Sequence, residues 1–327
     1  MPFERIRPGD GVLVTGANGF VGSNLVTVIL ERGWSCRALV RAKSNSLPHS
    51  VEQVVVGDLS SGSAAIAEAC SGVHSVIHLA GRAHKKGEND AATRAAYTRD
   101  NVAVTRSLAG ACAANGVRRF VYVSSIKVYG DGSRQVAIDE HTPPDPTDAY
   151  GETKLMAETV AQEAVGTSHT EVLIFRPPLI YGPGVKANFL KLMSLVQRGV
   201  PLPFKGVRNL RSLIYVRNFA DVLAHSLGVA ARTGDVYLVS DESPLSTRAI
   251  VQRLSAALDV DSRLFFMPPA ILKATWHLPG LGKSMERLLG SLYLDTRSSE
   301  RALQWSPPFS QDQAFHETAQ WYLQRQQ

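Results

Sequence analysis

The sequence predicts an α/β fold, a doubly wound parallel sheet with helices on both faces, followed by a smaller and mostly helical portion. Three observations predict it. Short β-branched apolar runs alternate with helical stretches through the first half, a three-glycine turn joins the first run to the first helix, and after Arg176 the alternation gives way to proline-rich segments. At about 150 residues per domain the 327 residues suit roughly two structural units, or one large α/β unit carrying a smaller appendage. With 44% apolar and 20% charged residues, disordered, collagen-like and coiled-coil chains are excluded.

Taken in order, Val12 to Thr15, Cys36 to Val40, Val54 to Val56, Val76 to Leu79, Phe120 to Ser124 and Val172 to Phe175 each read as a buried strand, a continuous apolar run bounded by turn residues. The first helix carries Phe20, Val21, Leu25, Val26, Ile29 and Leu30 on one side and stops at Arg32-Gly33. Another runs from about Ala91 to Asn115-Gly116, and a third starts at Asp148 and continues through Ala164. Prolines 177, 178, 183, 201 and 203 then break the chain into loops and one helix, Asn188 to Arg198. A helix near Asn218 to Ala231 and a strand at Val236 to Ser240 return to the sheet. The predicted division is therefore 1–176, with returns at about 210–240, and a substrate portion of 177–209 and 241–327.

The 35 Lys and Arg against 29 Asp and Glu leave a net charge of +6, compatible with nucleic acid, an acidic membrane surface or phosphorylated small molecules. The basic residues read as scattered among acidic ones, which disfavours a nucleic-acid binder. Cys36, Cys70 and Cys112 are widely spaced with no CxxC, so neither a disulfide framework nor a zinc site is expected. His74, His78 and His84 do not have ligand spacing either, and no metal is expected. The polar N-terminus lacks a signal peptide's apolar core, and a cytoplasmic protein is expected. The most apolar stretch, Leu264 to Leu281, is interrupted by Pro268, Pro269, Lys273, His277 and Pro279, too broken to span a bilayer, leaving a peripheral membrane contact as the alternative to a buried or lid-like helix pair.

The turn Gly16-Ala-Asn18-Gly19-Phe20-Val-Gly22 lies between the first strand and the first helix. Gly16 allows a tight turn, Gly19 close approach of backbone to a pyrophosphate, and Gly22 close packing of helix on strand, with the helix N-terminus facing the anion. Such sites discriminate cofactors at the end of the second strand, where a carboxylate holds a ribose 2′-hydroxyl. Here Arg41 and Lys43 follow that strand with no carboxylate, which favours NADP over NAD. Asp58, after the third strand, is placed to meet the adenine amino group or to cap the next turn.

Tyr150 and Lys154 stand four apart on one helical face, so the ammonium can lower the phenol pKa and let it exchange a proton with a carbinol or carbonyl oxygen. A strand ending in Ser124-Ser125 precedes them.

With TGANGFVG, the HLAG stretch at 78–81, Ser124-Ser125 and Tyr150-Gly-Glu-Thr-Lys154, the chain resembles the extended short-chain dehydrogenase/reductases, a Rossmann-like family. Arg176-Pro177, Tyr181-Gly182-Pro183, the segment starting at Arg211 and Leu303-Gln304-Trp305 follow in the family's order. The resemblance implies Tyr150 as acid/base, Lys154 as binder of the nicotinamide ribose, Ser125 as partner of the reacting oxygen and Asn101 as organiser of the site. It also implies that Gly16, Asn18, Gly19, Phe20, Gly22, Leu59, Leu79, Ala80, Gly81 and Pro177 line the cofactor. Ser124, Ser125, Lys127, Asn188, Arg211 and Arg287 are the substrate candidates, with Arg211 matching an arginine that clamps a diphosphate.

Extended members act mostly on nucleotide-diphosphate sugars, and the resemblance implies such a partner. Sugar-nucleotide dehydratases carry an Asp-Glu pair where this chain has Ile126 and Lys127, so dehydration is disfavoured. Two chemistries remain, reduction of a UDP-4-keto-6-deoxy-N-acetylhexosamine and 4-epimerisation of UDP-glucose or UDP-N-acetylglucosamine. The missing carboxylate after the second strand suits exchangeable NADPH and tips the expectation to the reductase. A non-catalytic cofactor-sensing regulator would be expected to lack the Tyr-Lys pair. The resemblance further implies surface-polysaccharide (O-antigen) synthesis and a homodimer formed through the helices bearing Asn101 and Tyr150.

Overall fold

The computed structural model describes residues 5–60, 63–82, 90–268, 271–272 and 288–326. In the first half, β1 (Gly11–Thr15), α1 (Phe20–Glu31), β2 (Ser35–Val40), β3 (Glu52–Val55), α2 (Ser63–Cys70) and β4 (Ser75–His78) follow one another as the apolar runs predict. After them come α3 (Ala91–Tyr97), a π-helical turn (Thr98–Ala103), α4 (Val104–Ala114), β5 (Arg119–Val123), α5 (Ala149–Val165) and β6 (Glu171–Phe175). With β9 (Val236–Tyr237) these strands form a seven-stranded sheet in the order β3-β2-β1-β4-β5-β6-β9, every pairing parallel.

Alternate residues of the strands feed two cores, as the period of two requires. Val12, Val14, Ile77, Val121 and Leu173 pack on one face beneath α1 and α7 (Val216–His225). Leu13, Val76, Phe120, Val172 and Ile174 pack on the other beneath α2, α4 and α5. Phe219 on α7 is fully buried against the first face, worth roughly 1.5–3 kcal/mol over exposure. Strand order reverses between β1 and β4, so the crevice beyond their carboxyl ends is where a doubly wound sheet receives its ligand.

The second half departs from expectation in part. The segment predicted as loops and one helix also holds β7 (Leu179–Tyr181) and β8 (Leu213–Tyr215), a separate parallel pair flanking α6 (Ala187–Gln197). Tyr181, Phe189, Tyr215, Leu254 and Phe315 fill a further core there with α8 (Thr247–Ala257) and α10 (Gln311–Gln324); α9 (Arg297–Leu303) lies between those helices in sequence. The predicted helix at 218–231 ends at His225, followed by a 3₁₀ turn at Ser226–Gly228, and only Val236 and Tyr237 of the last predicted strand are paired.

Cys70 on α2 and Cys112 on α4, 42 residues apart, bring their Sγ atoms to 4.0 Å as free, buried thiols. Leu264 pairs with Leu202 in an isolated bridge, while 269–270 and 273–281 lie outside the described residues. Among the described residues no helix is long and apolar enough to cross a membrane.

Candidate active site

The phosphate loop is built by close approach. A Cβ on Gly22 would stand 2.1 Å from the Gly16 carbonyl oxygen and 2.7 Å from Ala17 Cα, so α1 meets the strand end at a separation only glycine permits. Gly16 itself has φ +70°, a left-handed conformation. No side chain caps α1 at Gly19, leaving the first-turn N–H groups for an anion. Asn18 and Gly19 are exposed and Phe20 half-buried on this loop. These features fit a dinucleotide pyrophosphate.

Beside the loop runs a neutral polar chain. The Ala80 N–H donates to Thr15 Oγ1 (3.0 Å), Thr15 Oγ1 lies 2.6 Å from His78 Nδ1, His78 Nε2 lies 3.1 Å from Thr105 Oγ1, and Thr105 Oγ1 donates to the Asn101 carbonyl (2.5 Å). Because Thr105 spends its proton on Asn101, His78 must donate from Nε2 and accept at Nδ1, the neutral tautomer. Burial agrees, holding the His78 pKa down to about 3, with Lys154 as the second cause. His74 turns instead to Ser75 (2.8 Å), and His84 lies outside the described residues.

Asn101 is buried inside the π turn, where a helix predicted to run on from Ala91 changes its hydrogen-bond register. Its Oδ1 accepts from the Arg82 N–H (2.7 Å) and its Nδ2 donates to Thr153 Oγ1 (3.2 Å), tying the segment after β4 to α5. Leu79 and Ala80 are half-buried and Gly81 exposed along that segment. Tyr97, at the end of α3 and fully buried, presents edge-on to the Tyr150 ring at 6.1 Å. Sequence reasoning missed Tyr97, since an aromatic at helical spacing reads as core.

Tyr150, Ser125 and Lys154 come together. Asp148 caps α5 by accepting from the Gly151 N–H (2.8 Å), and this fixes the first turn that bears Tyr150. Ser125 caps the 3₁₀ turn Ile126–Tyr129, and its hydroxyl is hydrogen-bonded to the Tyr150 phenol. Lys154 Nζ donates to the Val123 carbonyl (2.8 Å) and stands 4.7 Å over the Tyr122 ring. The sequence expectation of a lowered phenol pKa does not describe this site as it stands. Burial pushes Tyr150 up to about 12 against the opposing Ser125 bond, and burial brings Lys154 down to about 8 against the carboxylate of Glu158.

Below this group lies an ionic network that sequence reasoning also missed. Arg176, at the end of β6, grips Glu158 of α5 with two N–H groups (2.9 Å from Nε; Nη2 at 2.5 Å) and donates from Nη1 to the Tyr129 hydroxyl (2.6 Å). Ser124, proposed for substrate, is buried and gives its hydroxyl to Glu158 at 2.5 Å, so its side chain points into the protein. The available signal was Glu158 four residues after Lys154, on the same face of α5. Buried Pro177 follows Arg176, its carbonyl accepting from the Ile126 N–H (2.9 Å).

The remaining candidates are more dispersed. Lys127 is engaged by two carboxylates, Asp131 and Asp148 (3.4 Å), which occupy the ammonium proposed for a keto sugar. Arg41 and Lys43 are exposed just past β2. Asp58 is exposed and bonds Ser60 through N–H (2.9 Å) and hydroxyl (2.8 Å), the turn-capping alternative, which holds its carboxyl below the usual range; Leu59 beside it is half-buried. Arg211 is half-buried, its backbone pairing with Leu245; Asn188 is exposed at the start of α6, and Arg287 lies outside the described residues.

Residues 12–240 match the NAD dependent epimerase/dehydratase family. The chain belongs to that family. Across family relatives, it is 35% identical over 319 residues to a UDP-glucose 4-epimerase of Vibrio cholerae, covering 96% of this chain and 95% of that one. It is 29% identical to an N-acetyl-α-D-glucosaminyl-diphospho-ditrans,octacis-undecaprenol 4-epimerase of Escherichia coli O157:H7, over 76% of this chain and 73% of the relative. Among solved structures, MoeE5 in complex with UDP-glucuronic acid and NAD superposes with TM-score 0.76 at 26% identity, covering 98% of this chain and all of that one.

Proposed function

We propose that this family member is an NAD(P)-dependent 4-epimerase acting on a hexose held through a diphosphate. The observation that carries the reading is the convergence of Ser125, Tyr150 and Lys154 beside the phosphate loop, in a chain 35% identical almost end to end to a UDP-glucose 4-epimerase. A dinucleotide held by the Gly16–Gly22 loop and Lys154 would supply reversible hydride transfer at C4. Tyr150 exchanges the C4 hydroxyl proton, Ser125 hydrogen-bonds the same oxygen, and Lys154 supplies positive charge beneath them. Arg211 holds the diphosphate. In this reading residues 1–176, with the return at about 210–240, hold the cofactor, while 177–209 and 241–327 hold the substrate. A homodimer through the helices bearing Asn101 and Tyr150 belongs to the same proposal.

The second reading, a 4-keto reductase using NADPH, is favoured by two observations. Tyr150 is a neutral phenol with a pKa near 12, ready to donate a proton to a carbonyl, and Arg41 and Lys43 are exposed beyond β2 with no carboxylate immediately following it. One preparation decides between them. Formation of the C4 epimer from UDP-N-acetylglucosamine or UDP-glucose without added cofactor is the expected result. Consumption of NADPH with UDP-4-keto-6-deoxy-N-acetylglucosamine, and no epimer, would hand the assignment to the reductase.

A further inference from the structure

The net charge of this chain is not spread along it. Between Glu171 and Asp221 stand 49 residues with eight Lys and Arg and no Asp or Glu, while the rest of the chain has 27 cations against 29 carboxylates. Two of the eight are paired with carboxylates elsewhere, Arg176 with Glu158 and Arg217 with Glu317, and the other six, from Lys186 to Arg211, lie on α6 and the loops between β7 and β8, which corrects the reading of scattered basic residues. Lys186, Lys191, Arg198, Lys205 and Arg208 of this stretch are exposed.

The exposed apolar residues concentrate in the same place. Of ten large hydrophobic side chains exposed among the described residues, six lie at 195–210 or 265–271: Leu195, Val200, Leu210, Phe265, Phe266 and Ile271. Backbone bonds join these two segments. The Leu202 N–H donates to the Arg263 carbonyl (2.9 Å), the Phe265 N–H to Leu202 (3.0 Å) and the Lys205 N–H to Phe265 (3.2 Å). Phe266 packs over Gly206, where a Cβ would meet its ring at 2.8 Å, and the Arg263 guanidinium lies beside Gly199. Phe266 is nonetheless 62% exposed. Asp259 and Asp261 precede the second segment, but Ser262 to Leu272 contains no carboxylate.

Exposed phenylalanines set among exposed Lys and Arg suit the boundary of an anionic bilayer, where rings enter the headgroup layer and cations meet the surface charge. A purely diphosphate-binding role would require the cations but not the rings. Lys205 and Arg211 are six positions apart, so the two lie within about 20 Å of each other along even an extended chain. A diphosphate at Arg211 has the sugar on one side and its carrier on the other. We propose that the ribbon formed by Val200–Arg208 and Arg263–Phe266 docks on an anionic membrane, where the enzyme takes its diphosphate-linked sugar from a polyprenyl carrier. The carrier half rests on the epimerase reading and is supported by the relative named for an undecaprenyl-linked sugar; the docking half stands without it.

The test sediments the full chain with phosphatidylglycerol/phosphatidylethanolamine vesicles and with phosphatidylcholine vesicles, at low and high salt. Selective, salt-sensitive binding to the anionic vesicles is expected. Lys205→Ser and Arg263→Ser should each weaken it roughly fivefold, and the pair Phe265→Ser/Phe266→Ser should weaken it at both salt levels with the thermal midpoint unchanged. A chain left in the supernatant, or binding indifferent to the two phenylalanines, overturns the docking surface. Vesicles loaded with polyprenyl diphosphate-linked N-acetylglucosamine test the carrier by analysis of the released sugar. If the same preparation epimerises UDP-N-acetylglucosamine but leaves the vesicle-borne sugar unchanged, the carrier assignment falls while the epimerase stands.

Discussion

Two buried polar systems flank Tyr150 and Lys154, and they are built on opposite principles. On the β4 side, Thr15, His78, Thr105 and Asn101 are neutral, each spending one proton on the next. On the β6 side, Glu158 and Arg176 are a full ion pair with Ser124 and Tyr129 attached. A neutral chain is inexpensive to bury but fails when a proton is added. An ion pair tolerates pH but fails when either partner is removed, because the remaining charge is stranded. Placing Lys154 between them leaves its ammonium with one nearby carboxylate, Glu158, to offset burial.

The sharpest way to separate these systems from the chemistry is Tyr150→Phe. Both networks survive it, so stability should hold while turnover falls roughly 10²- to 10⁴-fold; retained turnover would remove Tyr150 from its role. Glu158→Ala strands Arg176, whose side chain is only 8% exposed, and should cost about 3–5 kcal/mol in denaturant unfolding. A loss under 1 kcal/mol would show that water reaches the guanidinium. On the neutral side the probe is pH. His78 titrates near 3 when folded against about 6.5 unfolded, so the unfolded chain binds the extra proton between those values. Stability is full above pH 6.5 and should fall by up to about 1.4 kcal/mol per unit as pH drops toward 3. His78→Gln should flatten that slope, and an unchanged slope would place the titration elsewhere. Smallest, Ser124→Ala removes one bond to Glu158 and should cost about 1 kcal/mol. Loss of substrate affinity in that variant, with stability intact, would return Ser124 to the substrate site.

Legibility followed the range over which a feature is encoded. The strands of the first half and the glycine turn were readable because buried parallel strands are continuous apolar runs and Gly22 is forced by contact with its own strand end. β7 and β8 were not, since three-residue strands between prolines carry no period. Tyr150 and Lys154 could be paired from helical spacing alone, whereas the Tyr150 pKa direction depends on burial that only packing supplies. Arg176 and Glu158 are 18 residues apart, one just past a strand and the other on a helix, and nothing local announces their contact. The bond from the Ser124 hydroxyl to Glu158 spans 34 residues and is hidden from local sequence for the same reason.

The π turn at Thr98–Ala103 records a change of phase. One residue more than an α-helical register would hold rotates α3 by about 100° relative to α4. Asn101 thereby reaches both the Arg82 backbone and Thr153, and Tyr97 faces Tyr150, without α4 leaving the sheet. Removing a single residue there would heal the helix and turn both side chains away together. The segment acts as a one-residue spacer between the helix that packs on the sheet and the side chains that face Tyr150.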